Sequence, residues 1–262
     1  MIRKVVQFGL AGFLTLALAL PAAAQQAEQQ SQDLKKQIEA LKRGQIEIQK
    51  DLDEIKQLLR TNNAAARRVP AQPSVRNKVF ELGLNPVKGS PNAKLTLIEF
   101  TDYQCGFCSR HNRQTAPQIE KAYVETGKLR YASMDLPLDF HKLAFKAAEA
   151  SHCAEEQGKF WEMHDRLFAN QQALEPWNGH AQALGLEVAQ FEECMSAGKY
   201  AQAIRADMVE ARKAGASGTP SFVLGLTDPE NPAKVKGLAF IRGALDFSRF
   251  KIEIDKALGQ EE

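Results

Sequence analysis

Leu95-Thr96-Leu97-Ile98-Glu99-Phe100-Thr101-Asp102-Tyr103-Gln104-Cys105-Gly106-Phe107-Cys108 is the stretch that decides the fold. Its first six residues are mostly apolar and read as a strand buried on both faces. From Cys105 to about Glu125 the pattern is helical, with Gly127 as its stop. A strand leading into a helix that opens on two cysteines three apart brings both sulfurs within bonding distance. Cys105 then meets the unpaired N–H groups and the positive end of the helix dipole, which stabilise a thiolate. A lowered pKa makes that sulfur both a good nucleophile at neutral pH and a good leaving group. Cys108, one turn in, is expected to be more buried and to resolve a mixed disulfide. The other readings of such a pair are half a zinc site or a structural staple. Zinc sites of this class need a second close pair of ligands. Cys153 and Cys194 are not such a pair, and no His-x₃₋₅-His follows. The redox reading is therefore preferred, and no metal is expected.

Outward from this centre, Leu129 to Met134 reads as a second strand. From Phe140 to Ala214 the pattern is helical. Phe160, Met163, Leu167 and Phe168 mark one apolar face, and Ile204, Met208 and Ala211 another. Ser221 to Leu224 is a strand, Leu238 to Ile241 its hairpin partner, and Asp246 caps a last helix to Leu258. The order gives an α/β domain over 79–262 with a thioredoxin fold and a helical insertion at about 139–214. No Gly-rich phosphate loop or catalytic triad is present, and no cofactor is expected.

The N-terminal side carries other signals. Arg3 and Lys4 precede an apolar run from Val5 to Leu20, and Pro21 precedes Ala22-Ala23-Ala24. This predicts a signal peptide over 1–24, cut between Ala24 and Gln25. As a membrane anchor the run is short of the roughly 20 residues a span needs. An exported protein of this kind works in an oxidising compartment, where paired cysteines are expected. The net charge of +2 falls to zero without Arg3 and Lys4, and nothing in it suggests a nucleic-acid partner. Residues 25–60 form a helical segment. Within it Leu34, Leu41, Ile48 and Ile55 recur every seven residues, with Ile38, Gln45, Leu52 and Leu59 four after each. That is a narrow heptad seam, read as a coiled coil joining copies of the chain through residues 31–60; a single helix lying on the domain's own surface is the alternative. Residues 61–78 carry no periodicity and read as a linker.

Phe100 to Cys108 resembles the active-site segment of the DsbA family, and Gly218-Thr219-Pro220-Ser221-Phe222 resembles that family's cis-proline loop. The resemblance covers roughly 79–260. The seam is outside the minimal pattern and is similar to the oligomerisation stalk of ScsC-type members. The resemblance implies that Pro220 is a cis proline facing the cysteines, the other reading being a trans turn proline. It implies that Thr219 contacts the active-site sulfurs. It makes Glu99 a buried acid able to take and return the proton of Cys108, the other reading being an exposed strand-edge residue. It favours a structural disulfide between Cys153 and Cys194, against two buried free thiols. The dipeptide Gly106-Phe107 stands where the family's strong oxidant has Pro-His, and Phe107 cannot stabilise a thiolate as a histidine would. His111 is expected on the surface.

The implied function is a periplasmic thiol–disulfide oxidoreductase acting on exported proteins with cysteines. Oxidase, isomerase and reductase directions share these residues. An oxidase implies a DsbB-like membrane partner, an isomerase or reductase a DsbD-like one. A non-catalytic coiled-coil chaperone or scaffold, its Cys-x-x-Cys a staple, is the rival.

Overall fold

All seven residues of β3 (Leu95–Thr101) and all seven of β4 (Leu129–Asp135) are buried, so the sheet they form has to be covered on both faces. The computed structural model describes residues 16–66 and 74–259, with side chains described for 28–58 and 74–259. Residues 1–15 of the expected leader, the side chains at its Ala24–Gln25 junction, that of Leu59 and residues 67–73 of the expected linker lie outside this description. The chain divides into two units, residues 1–71 and 72–262.

The first unit is helix α1 (Leu16–Ala66). It runs through 61–66, the first six residues of the stretch read as linker. Leu34, Ile38, Leu41, Ile48, Leu52 and Ile55 are 44–74% exposed on it. Ion pairs such as Lys42–Glu39 and Lys56–Asp53 lie along the helix and, being exposed, stabilise it little.

The second unit is built on a six-stranded sheet that also contains β1 (Val79–Glu81), β2 (Val87–Lys88), β5 (Ser221–Thr227) and β6 (Lys234–Arg242), in the order β1-β6-β5-β3-β4-β2. β3 and β4 are parallel, from Leu95 opposite Leu129 to Thr101 opposite Asp135. All other pairings are antiparallel. A parallel pair needs a crossover, supplied by α2 (Gly106–Gln114), α3 (Ala116–Ile119) and a π turn at Glu120–Val124. The single helix expected to about Glu125 is broken there. Pro117 has no N–H to continue the ladder and sits instead in the first turn of α3.

Side chains alternate across the strands. Ile98, Phe100, Met134 and Val223 pack on one face with Phe80, Phe240 and Ala211. Leu95, Leu97, Tyr131 and Phe222 pack on the other with Ile119 and with Phe250 and Ile254 of the last helix (Phe247–Leu258). That helix starts after Asp246 as expected, but the carboxylate makes no capping hydrogen bond. The folded unit begins before Val79. Val75 is buried, and a Cβ on Gly237 would meet its carbonyl oxygen at 2.5 Å, so glycine is what lets the two backbones meet.

The insertion consists of α4 (Ala144–Glu155), α5 (Phe160–Ala169), α6 (Trp177–Ala183), α7 (Val188–Ala197) and α8 (Ala201–Ala214). Its core includes Ala147, Met163, Leu167, Phe168, Phe191 and Ile204, and reaches Cys108. A disulfide joins Cys153 of α4 to Cys194 of α7, with Cα atoms 5.8 Å apart.

Candidate active site

Between the end of β3 and the start of α2 the chain has four residues in which to turn. Asp102 shapes that turn: its Oδ1 accepts from Gln104 N at 2.7 Å, and its carbonyl accepts from Cys105 N at 3.0 Å. Asp102 Oδ2 accepts from Leu138 N and pairs with His141 Nδ1, both at 2.8 Å. Gln104 Oε1 accepts from Leu143 N at 2.5 Å. Gln171 Nε2 donates to the carbonyls of Tyr103 and Cys105 at 2.8 and 3.0 Å. The segment entering the insertion and the residues after α5 thus hold the loop from two directions.

This places Cys105 at the N-cap of α2, in an extended conformation. Its Sγ lies 3.4 Å from the carbonyl oxygen of Thr219, and the Thr219–Pro220 peptide is cis. Cys105 and Cys108 are free thiols on one helical turn. Their acidities diverge. The hydrogen bond from the Cys108 thiol, opposed by burial and helped by Thr219 and the backbone N–H groups of Cys108 and Phe107, brings Cys105 from an ordinary value of 9.0 down to about 5. Burial, the bond to Cys105 and the negative charge of Glu99 push Cys108 well above 9.0. The helix start therefore separates one ready thiolate from one protonated, fully buried thiol.

Thr219 Oγ1 is buried and has no partner at ordinary hydrogen-bond distance among the described residues. Its carbonyl is the group set against Sγ, and its hydroxyl, beside the sulfur, helps to lower the Cys105 pKa.

Glu99 is buried at the centre of the sheet, opposite Ser133 on β4 and Phe222 on β5. Its Oε2 accepts from Tyr131 OH at 2.5 Å and its Oε1 from Thr101 Oγ1 at 3.2 Å. The Thr101 hydroxyl also acts on Cys108, where it partly offsets the rise in pKa, so it stands between carboxyl and sulfur. His111 corrects the expectation of a surface residue. It is fully buried, between Phe222 and Phe250 with ring centroids at 4.6 and 5.3 Å. Its Nε2 is 3.0 Å from Tyr131 OH, and its Nδ1 has no partner among the described residues. Burial lowers its pKa. An unpaired acceptor in the core is less costly than an unpaired N–H, so the hydrogen belongs on Nε2. The chain of donation then runs from His111 to Tyr131 to Glu99. Tyr131→Phe is expected to destabilise the fold by about 2 kcal/mol, the worth of a buried bond to a charged acceptor. Urea unfolding checks this; an unchanged midpoint would contradict the donation chain.

A second buried cluster joins residues that sequence reading left apart. Asp135, His152 and Asp207 each offer a ligand-type atom within 4.8 Å of the others. These atoms are engaged already: His152 Nε2 with Asp135 Oδ2 at 2.7 Å, Asp207 Oδ2 with Asp135 N at 3.0 Å, and Asp207 Oδ1 with Asn85 Nδ2 at 2.7 Å. Burial and the Asp135 charge push Asp207 up to about 8. Burial opposes charge on His152, but Asp135 overrides it and its pKa is raised. The cluster reads as a proton-holding brace between β4, α4 and α8.

A thioredoxin family model matches residues 82–241. The structure is similar to α-DsbA1 of Wolbachia pipientis (TM-score 0.59, 26% identity, covering 69% of this chain and 94% of that one). It is also similar to a thioredoxin-like oxidoreductase of Silicibacter pomeroyi (TM-score 0.54, 26% identity, 67% and 92%). Among curated proteins, the Na(+)/H(+) antiporter NhaA 3 of Salinispora tropica is 34% identical over 171 residues, 64% of this chain and 26% of that protein. The chain spans between 21% and 26% of the length of the first such relatives. Among the described residues no helix is long and apolar enough to cross a membrane.

Proposed function

The chain belongs to the thioredoxin family and is a DsbA-like oxidoreductase, and from that premise we propose that it exchanges thiols and disulfides with exported, cysteine-bearing proteins in the periplasm. The observation that carries this is Cys105 at the start of α2 with its Sγ against the cis Thr219–Pro220 loop, and Cys108 fully buried one turn on; this placement lowers the pKa of the first sulfur and raises that of the second. In the reducing direction the Cys105 thiolate attacks a client disulfide, forming a mixed disulfide and releasing one client thiolate. Cys108 then attacks Cys105 Sγ, its proton passing toward Glu99 through Thr101. The second client sulfur leaves, and Cys105–Cys108 has become a disulfide. In the oxidising direction the same steps reverse, and Cys105 departs readily because its thiolate is stable.

Of the directions, isomerase or reductase is favoured by the seam on α1. Six large apolar side chains stand exposed along it, and such a heptad seam is covered by copies of the same helix. Several active sites around one client favour reshuffling and would keep an oxidising DsbB-like partner away, leaving a DsbD-like donor to supply electrons. The test uses the full-length protein and its Leu41→Asp/Ile48→Asp variant on a scrambled, disulfide-rich substrate. The variant is expected to be monomeric by light scattering, and to lose most reshuffling while still oxidising reduced substrate. Equal reshuffling by a monomeric variant would remove the oligomer argument. Absence of any exchange by either protein would overturn the function.

A further inference from the structure

Beside the candidate active site, residues 137–145 and α8 enclose a groove of about 540 Å³. Its apolar lining includes Leu138, Phe145 and Met208; Lys142, Arg205 and Arg212 stand around it. All three cations are exposed. Arg205 lies over the Phe145 ring, 5.5 Å from its centroid. Among the described residues none of the three has a carboxylate within ion-pair distance. Asp139 is the one acid in the lining, and His141, also in it, is engaged with Asp102. The groove is thus cationic, with an apolar floor.

It is also fastened to the loop that carries Cys105. Leu143, next to Lys142, donates to the side chain of Gln104, and Gln104 directly precedes Cys105. On its other side, α8 ends five residues before Thr219. The groove wall thus touches the loop at Asp102 and Gln104, three residues and one residue before Cys105, on the path of an extended client segment that adds roughly 3.3 Å per residue from a sulfur held at Cys105.

Resting on the exchange function above, we infer that this groove selects clients: it takes an extended segment bearing Asp or Glu about three to five residues from the reacting cysteine. Carboxylates meet Lys142, Arg205 and Arg212, and intervening apolar side chains lie on Phe145 and Met208. The attraction acts on encounter with the client, so it raises the rate of mixed-disulfide formation and weakens with salt.

The test uses reduced full-length protein and three peptide disulfides of equal length, with acidic, neutral or basic residues at those positions. Each turnover moves two electrons and two protons from the Cys105–Cys108 dithiol to the peptide disulfide, leaving two peptide thiols. Rates are divided by those of the same peptides with dithiothreitol, which removes the effect of flanking charge on the leaving thiol. The acidic peptide is expected to react about tenfold faster than the basic one at low salt, with the ratio falling toward one at high salt. Lys142→Glu/Arg212→Glu is expected to invert the ratio, and Lys256→Glu, on the last helix, to leave it alone. Equal corrected rates in the unaltered protein, or a ratio that the groove variant leaves untouched, would overturn the assignment; this includes a groove already filled by an acidic stretch of a second copy. Failure of all three peptides to oxidise Cys105 would instead count against the exchange function.

Discussion

Cys105→Ser is expected to stop thiol–disulfide exchange, with a fall of about 10⁴-fold or more in the rate of reducing a peptide disulfide. The serine hydroxyl keeps the position at the helix N-terminus but stays protonated at neutral pH and forms no bond to sulfur. No second sulfur can take over. Cys108 is fully buried, and burial together with its bond to Cys105 holds its proton on. Cys153 and Cys194 are consumed by their own disulfide. The partner variant, Cys108→Ala, is expected to attack normally and then stall, accumulating a mixed disulfide between Cys105 and the client that mass spectrometry identifies. Full turnover by Cys105→Ser, or no trapped adduct in Cys108→Ala, would contradict the assigned roles.

Cys153→Ala/Cys194→Ala is expected to lower stability by about 4 kcal/mol, since a bridge across this separation removes that much loop entropy from the unfolded chain. The two cysteines are 41 residues apart and tie α4 to α7. α4 carries His152 of the buried brace and packs its alanines into the core that reaches Cys108. Loosening it therefore loosens the wall of the active site. With a slope of about 2–3 kcal/mol per molar urea, the unfolding midpoint should drop by roughly 1.3–2 M. A change below about 0.3 M would mean that the helical packing alone holds these elements together.

What the sequence made legible was local or periodic. The run from Leu95 to Phe100 has one interpretation because its apolar residues leave no polar face, and a Cys-x-x-Cys after it meets a helix start whatever surrounds it. The order of later strands and helices could be read on the same grounds. β1 and β2, three and two residues long, are too short to show a period. The break at Pro117 was written in the sequence, since proline cannot continue a helix interior, but the apolar pattern continued through it. His111 misled because an isolated histidine on a helix is more often solvated. Only its placement between Phe222 and Phe250, more than 100 residues downstream, buries it. Tyr131 and the Asp102–His141 pair were missed for the same reason: each owes its role to a partner on another element. Asp135, His152 and Asp207 carry no shared spacing, and only the packing of α8 beside β4 and α4 assembles them.

The central claim is that folding acidifies one sulfur and not its neighbour. Because the pKa of Cys105 falls on folding, its charge supports the reduced fold above about 9, and that support is lost as pH drops toward about 5. The direct measurement is iodoacetamide alkylation of the reduced full-length protein from pH 3 to 10, with the labelled residue identified by mass. Labelling confined to Cys105, with a midpoint near pH 5, is the predicted result. A midpoint near 9, or equal labelling of Cys105 and Cys108, would contradict it.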